Sequence, residues 1–456
     1  MRRIFSHTTI LRCLLGLIII IHFANLTHYG APLITTEPFS SIYDALGESL
    51  AKGSVEIPPE DLGTEAFIYN GKTITYFAPF PAILRLALNG IWPGHRGDWG
   101  NVSSLCAVTL SLVVIYLAIV GQSQKNSSLS TRDRFLLNAL FLTGAGLSSP
   151  LFFLTSTGAI YHEAILWGLA FSLAGICCLL LMKESYLLYL VFSCCAGLAL
   201  LSRVTFAPPL FLCAGFLIAQ ILWSTPTDGR SRLTSVLTLT VPAFCALSFS
   251  LWYNEARFNN PVVFLDMSGH GNGTAPPFTV DRALRHLWYY LLPLNKDFFL
   301  HFPRITIHRL PIDSTNRFID AILPLAAFAP WMLLTGLWGC RYARRDDTVI
   351  SVALLGGAIQ CLFLTSFYFV ANRYQAEFMP LLMLGGVVFL KHARVTSGLR
   401  SLALTTSLAL LITLGSAVNV AATLDWAGRN SFYLSELERS RVAAIIGSLK
   451  EIVRHR

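Results

Sequence analysis

Runs of about twenty apolar residues, separated by short basic or polar stretches, recur along almost the whole chain. The first covers Ile10 to Ala24, and others lie at about 102–121, 135–154, 163–182, 186–202, 204–223, 234–252, 318–339, 349–370, 375–391 and 401–423. A helix rises about 1.5 Å per residue, so about 20 apolar residues cross the roughly 30 Å hydrocarbon core of a bilayer. The pattern predicts an all-α polytopic membrane protein with eleven transmembrane helices over 1–423 and a tail at 424–456. Two long polar loops, 30–101 and 253–317, interrupt the spans. In the first, Asn70-Gly71 between Tyr69 and Ile74 predicts a tight hairpin turn. Pro79-x-Pro81 then opens a helix too short to span, placed at the bilayer surface with Trp92 as its anchor. From Ser435 to Arg456, charges alternate with Leu, Val and Ile at helical spacing, which predicts a short amphipathic helix.

Composition agrees. Hydrophobic residues make up 54% and charged residues 13%, against about 25% charged in soluble proteins, so a single water-soluble globule is excluded. The net charge of +9 is accounted for largely by sidedness, and no nucleic-acid partner is expected. With the N-terminus in the cytoplasm, every inside segment is basic: Arg2, Arg3, Arg12, Lys125, Arg132, Arg134, Lys183, Arg230, Arg232, Arg341, Arg344, Arg345, Lys391, Arg394 and Arg400. This orientation puts both long loops and the C-terminal tail outside, in a multi-pass protein of the cell inner membrane. No small-residue cleavage site follows the first run, so it is read as a retained span. The ten cysteines lie in or beside apolar runs, so the loops are not disulfide scaffolds.

Ionisable residues near a membrane are costly, and their placement is the main functional signal. Five polar clusters are predicted on the outer face: Glu37, Asp44 and Glu48 in the first loop; Tyr161-His162-Glu163; Ser202-Arg203; the stretch Tyr253 to Pro261 with Arg257; and Asn372-Arg373-Tyr374-Gln375-Ala376-Glu377. Guanidinium groups at span ends suit a phosphate on a lipid tail, which they hold in forked geometry. A loop carboxylate can take the proton of a hydroxyl that attacks an anomeric carbon as the lipid phosphate leaves. On this reading Glu37, or failing that Asp44, is the base, Arg203, Arg257, Arg373 and Tyr374 bind the phosphate or substrate, and His162 and Glu163 orient the acceptor. No Walker A, G-x-G-x-x-G or H-E-x-x-H motif and no metal-ligand spacing occurs. Neither a metal nor a cofactor is expected, the lipid-linked sugar being a co-substrate.

The segments YDALGESLAKG, YNGKTITYFAPFPAILRL, YHEAILWG, LSRVTFAPP, YNEARFNNP and NRYQAEFMPLL, in this order and topology, resemble the glycosyltransferase-C superfamily. The closer likeness is to bacterial members related to protein O-mannosyltransferases and aminoarabinose transferases. The resemblance implies a polytopic enzyme that moves a sugar from a polyprenyl-phosphate carrier to a lipid, glycan or protein acceptor, with inversion. Relatives place an Asp-Glu pair at the start of the first outer loop, where this chain has Thr36-Glu37-Pro38. Glu37 is then the implied base, with Asp44 as substitute, and Glu163 matches a second acid of some relatives. Ala78-Pro79-Phe80-Pro81 stands where relatives carry Lys-Pro-Pro, so phosphate binding falls to the arginines. Two rivals are an envelope polysaccharide polymerase or ligase, which also has an arginine-bearing outer loop, and a transporter or flippase. The latter needs charges deep within several spans, which have almost none.

Overall fold

The computed structural model describes residues 7–36, 38–65, 67–182, 185–223, 229–264, 278–292, 318–319, 322–345, 348–367, 369–393, 399–429, 434 and 436–454. The chain begins with α1 (His7–Leu26) and continues into a loop domain of α2 (Ser41–Ala51), α3 (Pro59–Leu62), β1 (Phe67–Tyr69), β2 (Lys72–Ile74) and α4 (Pro79–Ile91). The helices α5 (Gly100–Ser123), α6 (Thr131–Leu147), α7 (Pro150–Leu154), α8 (Ile160–Leu181), α9 (Tyr186–Ser202), α10 (Pro208–Trp223) and α11 (Gly229–Phe258) follow. Next come α12 (Val280–Leu291), β3 (Phe318–Ile319), α13 (Leu325–Phe328), α14 (Pro330–Cys340), α15 (Thr348–Ser366), β4 (Phe369–Val370), α16 (Met379–His392), α17 (Leu399–Arg429) and α18 (Glu436–Arg454).

Each of the eleven apolar runs contains a helix, and eight helices among the described residues are long and apolar enough to cross a membrane. The protein is an all-α polytopic membrane protein. The runs at 186–202, 318–339 and 375–391 give shorter helices of 17, 11 and 14 residues. Proline accounts for two of these: Pro330 begins α14 after a break at Ala329, and Pro380 sits in the first turn of α16. These two short helices cross where a Cβ on Gly339 would overlap the Gly385 carbonyl oxygen. Glycine here lets the two backbones touch, as small residues do between membrane helices.

At the centre lies α8, buried along almost its whole length against α5 and α9. Its single acid, Glu163, stands in the first turn. The loop domain covers the end of the bundle that carries it. Asn70 and Gly71 form the expected hairpin turn, both with positive φ, and pair Tyr69 with Lys72. Ile42, Tyr43, Leu46, Ile57, Leu62, Phe67, Ile74 and Phe77 form a core of their own, which also packs on Ile160, Tyr253 and Phe258. Tyr253 donates to the Phe77 carbonyl at 2.9 Å.

The tail is helical, as its spacing predicts. Glu438 in α18 meets His28 at 3.1 Å, 410 residues apart, and Arg441 donates to the Tyr29 carbonyl at 3.0 Å. The last helix is thereby fastened to the exit of α1.

Candidate active site

Two clusters form where the loop domain meets the bundle. The inner one is organised by Arg85, a lone cation on the short apolar helix α4 that is 1% exposed. Its Nη2 and Nε donate to the two oxygens of Glu163 at 2.6 and 3.2 Å, and its Nη1 to Asp44 at 3.4 Å and Ser40 at 3.2 Å. Asn89 donates to the other Asp44 oxygen at 2.5 Å, and the Gly97 backbone N–H to Asp44 at 3.3 Å. Burial pushes the Asp44 carboxyl above the ordinary carboxylate range, against the opposing pull of Arg85, Asn89 and Gly97. This is a buried charge cluster that ties α2, α4 and α8 together.

The outer cluster is half-exposed. Glu65 accepts from the Tyr76 hydroxyl at 3.1 Å and from the Tyr161 hydroxyl in a short contact. Burial, reinforced by Tyr161 and Glu65, raises the Tyr76 phenol well above its usual value, so it remains a donor. The Arg373 guanidinium lies 4.8 Å from the Tyr161 ring centroid and 5.2 Å from that of Tyr374. Tyr374 in turn carries Arg203 at 4.6 Å. Arg203, at the end of α9, donates to Glu377 at 2.6 Å, and Glu377 is fully buried in the 3-10 turn Asn372–Phe378. Two guanidinium groups thus share one tyrosine ring at the edge of the bundle, flanked by Glu65.

These positions separate the site residues expected from sequence into those that come together and those that lie apart. Asp44 is fully buried and bonded to Arg85 and Asn89. Glu163 is likewise buried and bonded to Arg85 through both of its oxygens. His162 is buried between Phe153 and Trp426, at ring distances of 5.7 and 5.1 Å, and belongs to the packing. Arg257 is a buried clamp, apart from the other expected arginines in its contacts: it donates to the Thr75 carbonyl at 3.1 Å and Asn254 at 2.6 Å and lies 3.9 Å from the Tyr253 ring centroid. Arg203, Arg373 and Tyr374 do come together. Glu37 lies outside the described residues. Among the described residues no three His, Cys, Asp or Glu side chains converge as a metal site would need.

Sequence reasoning missed Arg85 and Glu65. For Arg85 the signal was present, since an arginine between two leucines on an apolar helix needs an acidic partner.

No protein-family model matches the chain, and no curated protein sequence does. Solved structures do. The oligosaccharyltransferase of Archaeoglobus fulgidus superposes on 93% of the chain with a TM-score of 0.54 at 14% identity, over 56% of its own length. The chain therefore spans little more than half of that protein. ArnT from Cupriavidus metallidurans, solved with undecaprenyl phosphate, gives a looser overlay, with a TM-score of 0.45 at 13% identity over 94% of the chain and 77% of ArnT. At this identity the overlay shows that the chain shares its fold with the archaeal oligosaccharyltransferase.

Proposed function

We propose that the protein transfers a sugar from a polyprenyl-phosphate carrier to a lipid, glycan or protein acceptor, on the outer face of the cell inner membrane. The observation that supports this reading is the pair of guanidinium groups on Tyr374, half-exposed at the bundle edge where a lipid headgroup would lie. The archaeal oligosaccharyltransferase, whose fold this chain shares, has been solved with dolichol-phosphate.

In this mechanism Arg203 and Arg373 hold the carrier phosphate, and their charge stabilises it as it leaves the anomeric carbon. The acceptor hydroxyl attacks from the opposite face, its proton passing to Glu37, and the carbon inverts. Glu65 has carboxylate lone pairs left beyond the two phenols and can accept from a sugar hydroxyl. Buried Glu377 fixes the direction of Arg203.

Arg373→Lys tests the clamp. Lysine keeps the charge but lacks the planar fork. Loss of one charge-assisted hydrogen bond, roughly 1.5–3 kcal/mol, should weaken undecaprenyl phosphate binding about tenfold or more. Wild-type affinity in the lysine variant would remove Arg373 from the site.

A further inference from the structure

A line of aromatic rings leads from Tyr374 to the outside of the bundle. The Tyr374 and Phe367 ring centroids are 6.5 Å apart, those of Phe367 and Phe278 5.2 Å, and those of Phe278 and Phe363 4.4 Å in a stack. The backbone holds this line in place, since Phe278 and Phe367 form a β-bridge and the Thr279 N–H donates to the Ser366 carbonyl at 3.0 Å. Phe363 lies on α15, one of the membrane-spanning helices, and is 44% exposed, while Phe278 is 41% exposed.

The neighbouring helix α12, packed on α15, is amphipathic in the reverse of the sense suited to water. Val280, Leu284 and Trp288 face outward at 81, 80 and 56% exposure, whereas Arg282 and His286 are buried. Such a helix is stable when its outer face meets hydrocarbon. The exposed apolar surface of α15, with Ile359, Leu362 and Phe363, continues onto α12 and Phe278. The ring line therefore starts on lipid-facing surface and ends between two guanidinium groups.

We propose that this line is the path of the carrier's polyprenyl tail, which runs over Phe363, Phe278 and Phe367 and delivers its phosphate to Tyr374 between Arg203 and Arg373. The inference rests on the proposed function and adds the route by which the lipid enters. A molecule with an apolar chain and an anionic head matches both ends of the path. Isoprenoid units pack against aromatic faces by dispersion and burial of apolar area.

The test uses the full chain in phosphatidylglycerol-containing nanodiscs, with undecaprenyl phosphate as probe. The double variant Phe278→Ala/Phe367→Ala should lose about tenfold or more in affinity, while Leu355→Ala, elsewhere on the lipid-facing side of α15, stays within about twofold. Unchanged affinity in the double variant, with Arg373→Ala still impaired, overturns the path and leaves the carrier reading standing. Failure of the wild type to bind overturns both. If the double variant melts early, p-benzoylphenylalanine in place of Phe278 gives the answer by photocrosslinking. An undecaprenyl adduct supports the path, and no adduct, or phosphatidylglycerol adducts alone, overturns it.

Discussion

Arg85→Met would expose what the inner charge cluster contributes. Arg85 holds Glu163 through two hydrogen bonds and Asp44 through one, and neither carboxylate reaches solvent. Methionine keeps an apolar side chain of similar reach and leaves both acids without the cation that binds them. Removing one partner of a buried ion pair costs about 3–5 kcal/mol, because the uncompensated charge stays behind. In a chain of this size the thermal midpoint should fall by about 3–5 °C, read by size-exclusion chromatography after heating. The loss should depend on pH with a definite sign. Burial already holds the Asp44 carboxyl above its ordinary value, and Arg85 is the main influence pulling it back. A group whose folded pKa is raised stabilises the fold fully below its unfolded pKa, and that contribution is lost as pH rises through the folded value. Without Arg85 the folded value climbs further, so the variant's deficit should be smaller at acidic than at neutral pH, as Asp44 takes up its proton. Arg85→Met with Glu163→Gln should recover part of the midpoint, since one buried charge goes with its partner. Melting within about 1 °C of wild type at both pH values would refute the ion-cluster reading.

For the base, Glu37→Gln should lower sugar transfer by about 10²–10⁴ with carrier binding retained, since the amide keeps shape but accepts no proton. Asp44→Asn should instead register in the thermal midpoint, and a folded Asp44→Asn protein without turnover would return the base to Asp44. Gly339→Leu should separate α14 from α16 and cost about 1–3 kcal/mol or more, seen as loss of monodisperse protein. A variant that purifies and melts like wild type would mean that this crossing tolerates side chains.

The elements with a local signature were legible. The apolar runs, the Asn70-Gly71 turn, the Pro79 helix and the amphipathic tail all follow from periodicity or turn chemistry within a few residues. What local pattern does not carry is pairing between distant segments. Asp44 and Glu163 looked like free acids because Arg85 lies 41 residues from one and 78 from the other. Arg257 resembled a span-end phosphate ligand, and only the fold brings the Thr75 carbonyl and Asn254 to it. The proximity of Arg203, Arg373 and Tyr374 was legible because each sits where an apolar run ends, so the membrane itself sorts them to one plane. Glu65 gave no such cue: it lies in a 3-10 turn of the loop, and its phenol partners come from β2's exit and the start of α8.

The fastening of α18 to the end of α1 also sets a timetable for biogenesis. His28 emerges from the ribosome 410 residues before Glu438. At about 5–20 residues per second, the ribosome needs about 20–80 s to supply the second partner. During that interval the lip of the loop domain at Tyr29 waits unlatched, open to chaperones and proteases. Synthesis of α18, and not insertion of the first segments, therefore closes this contact.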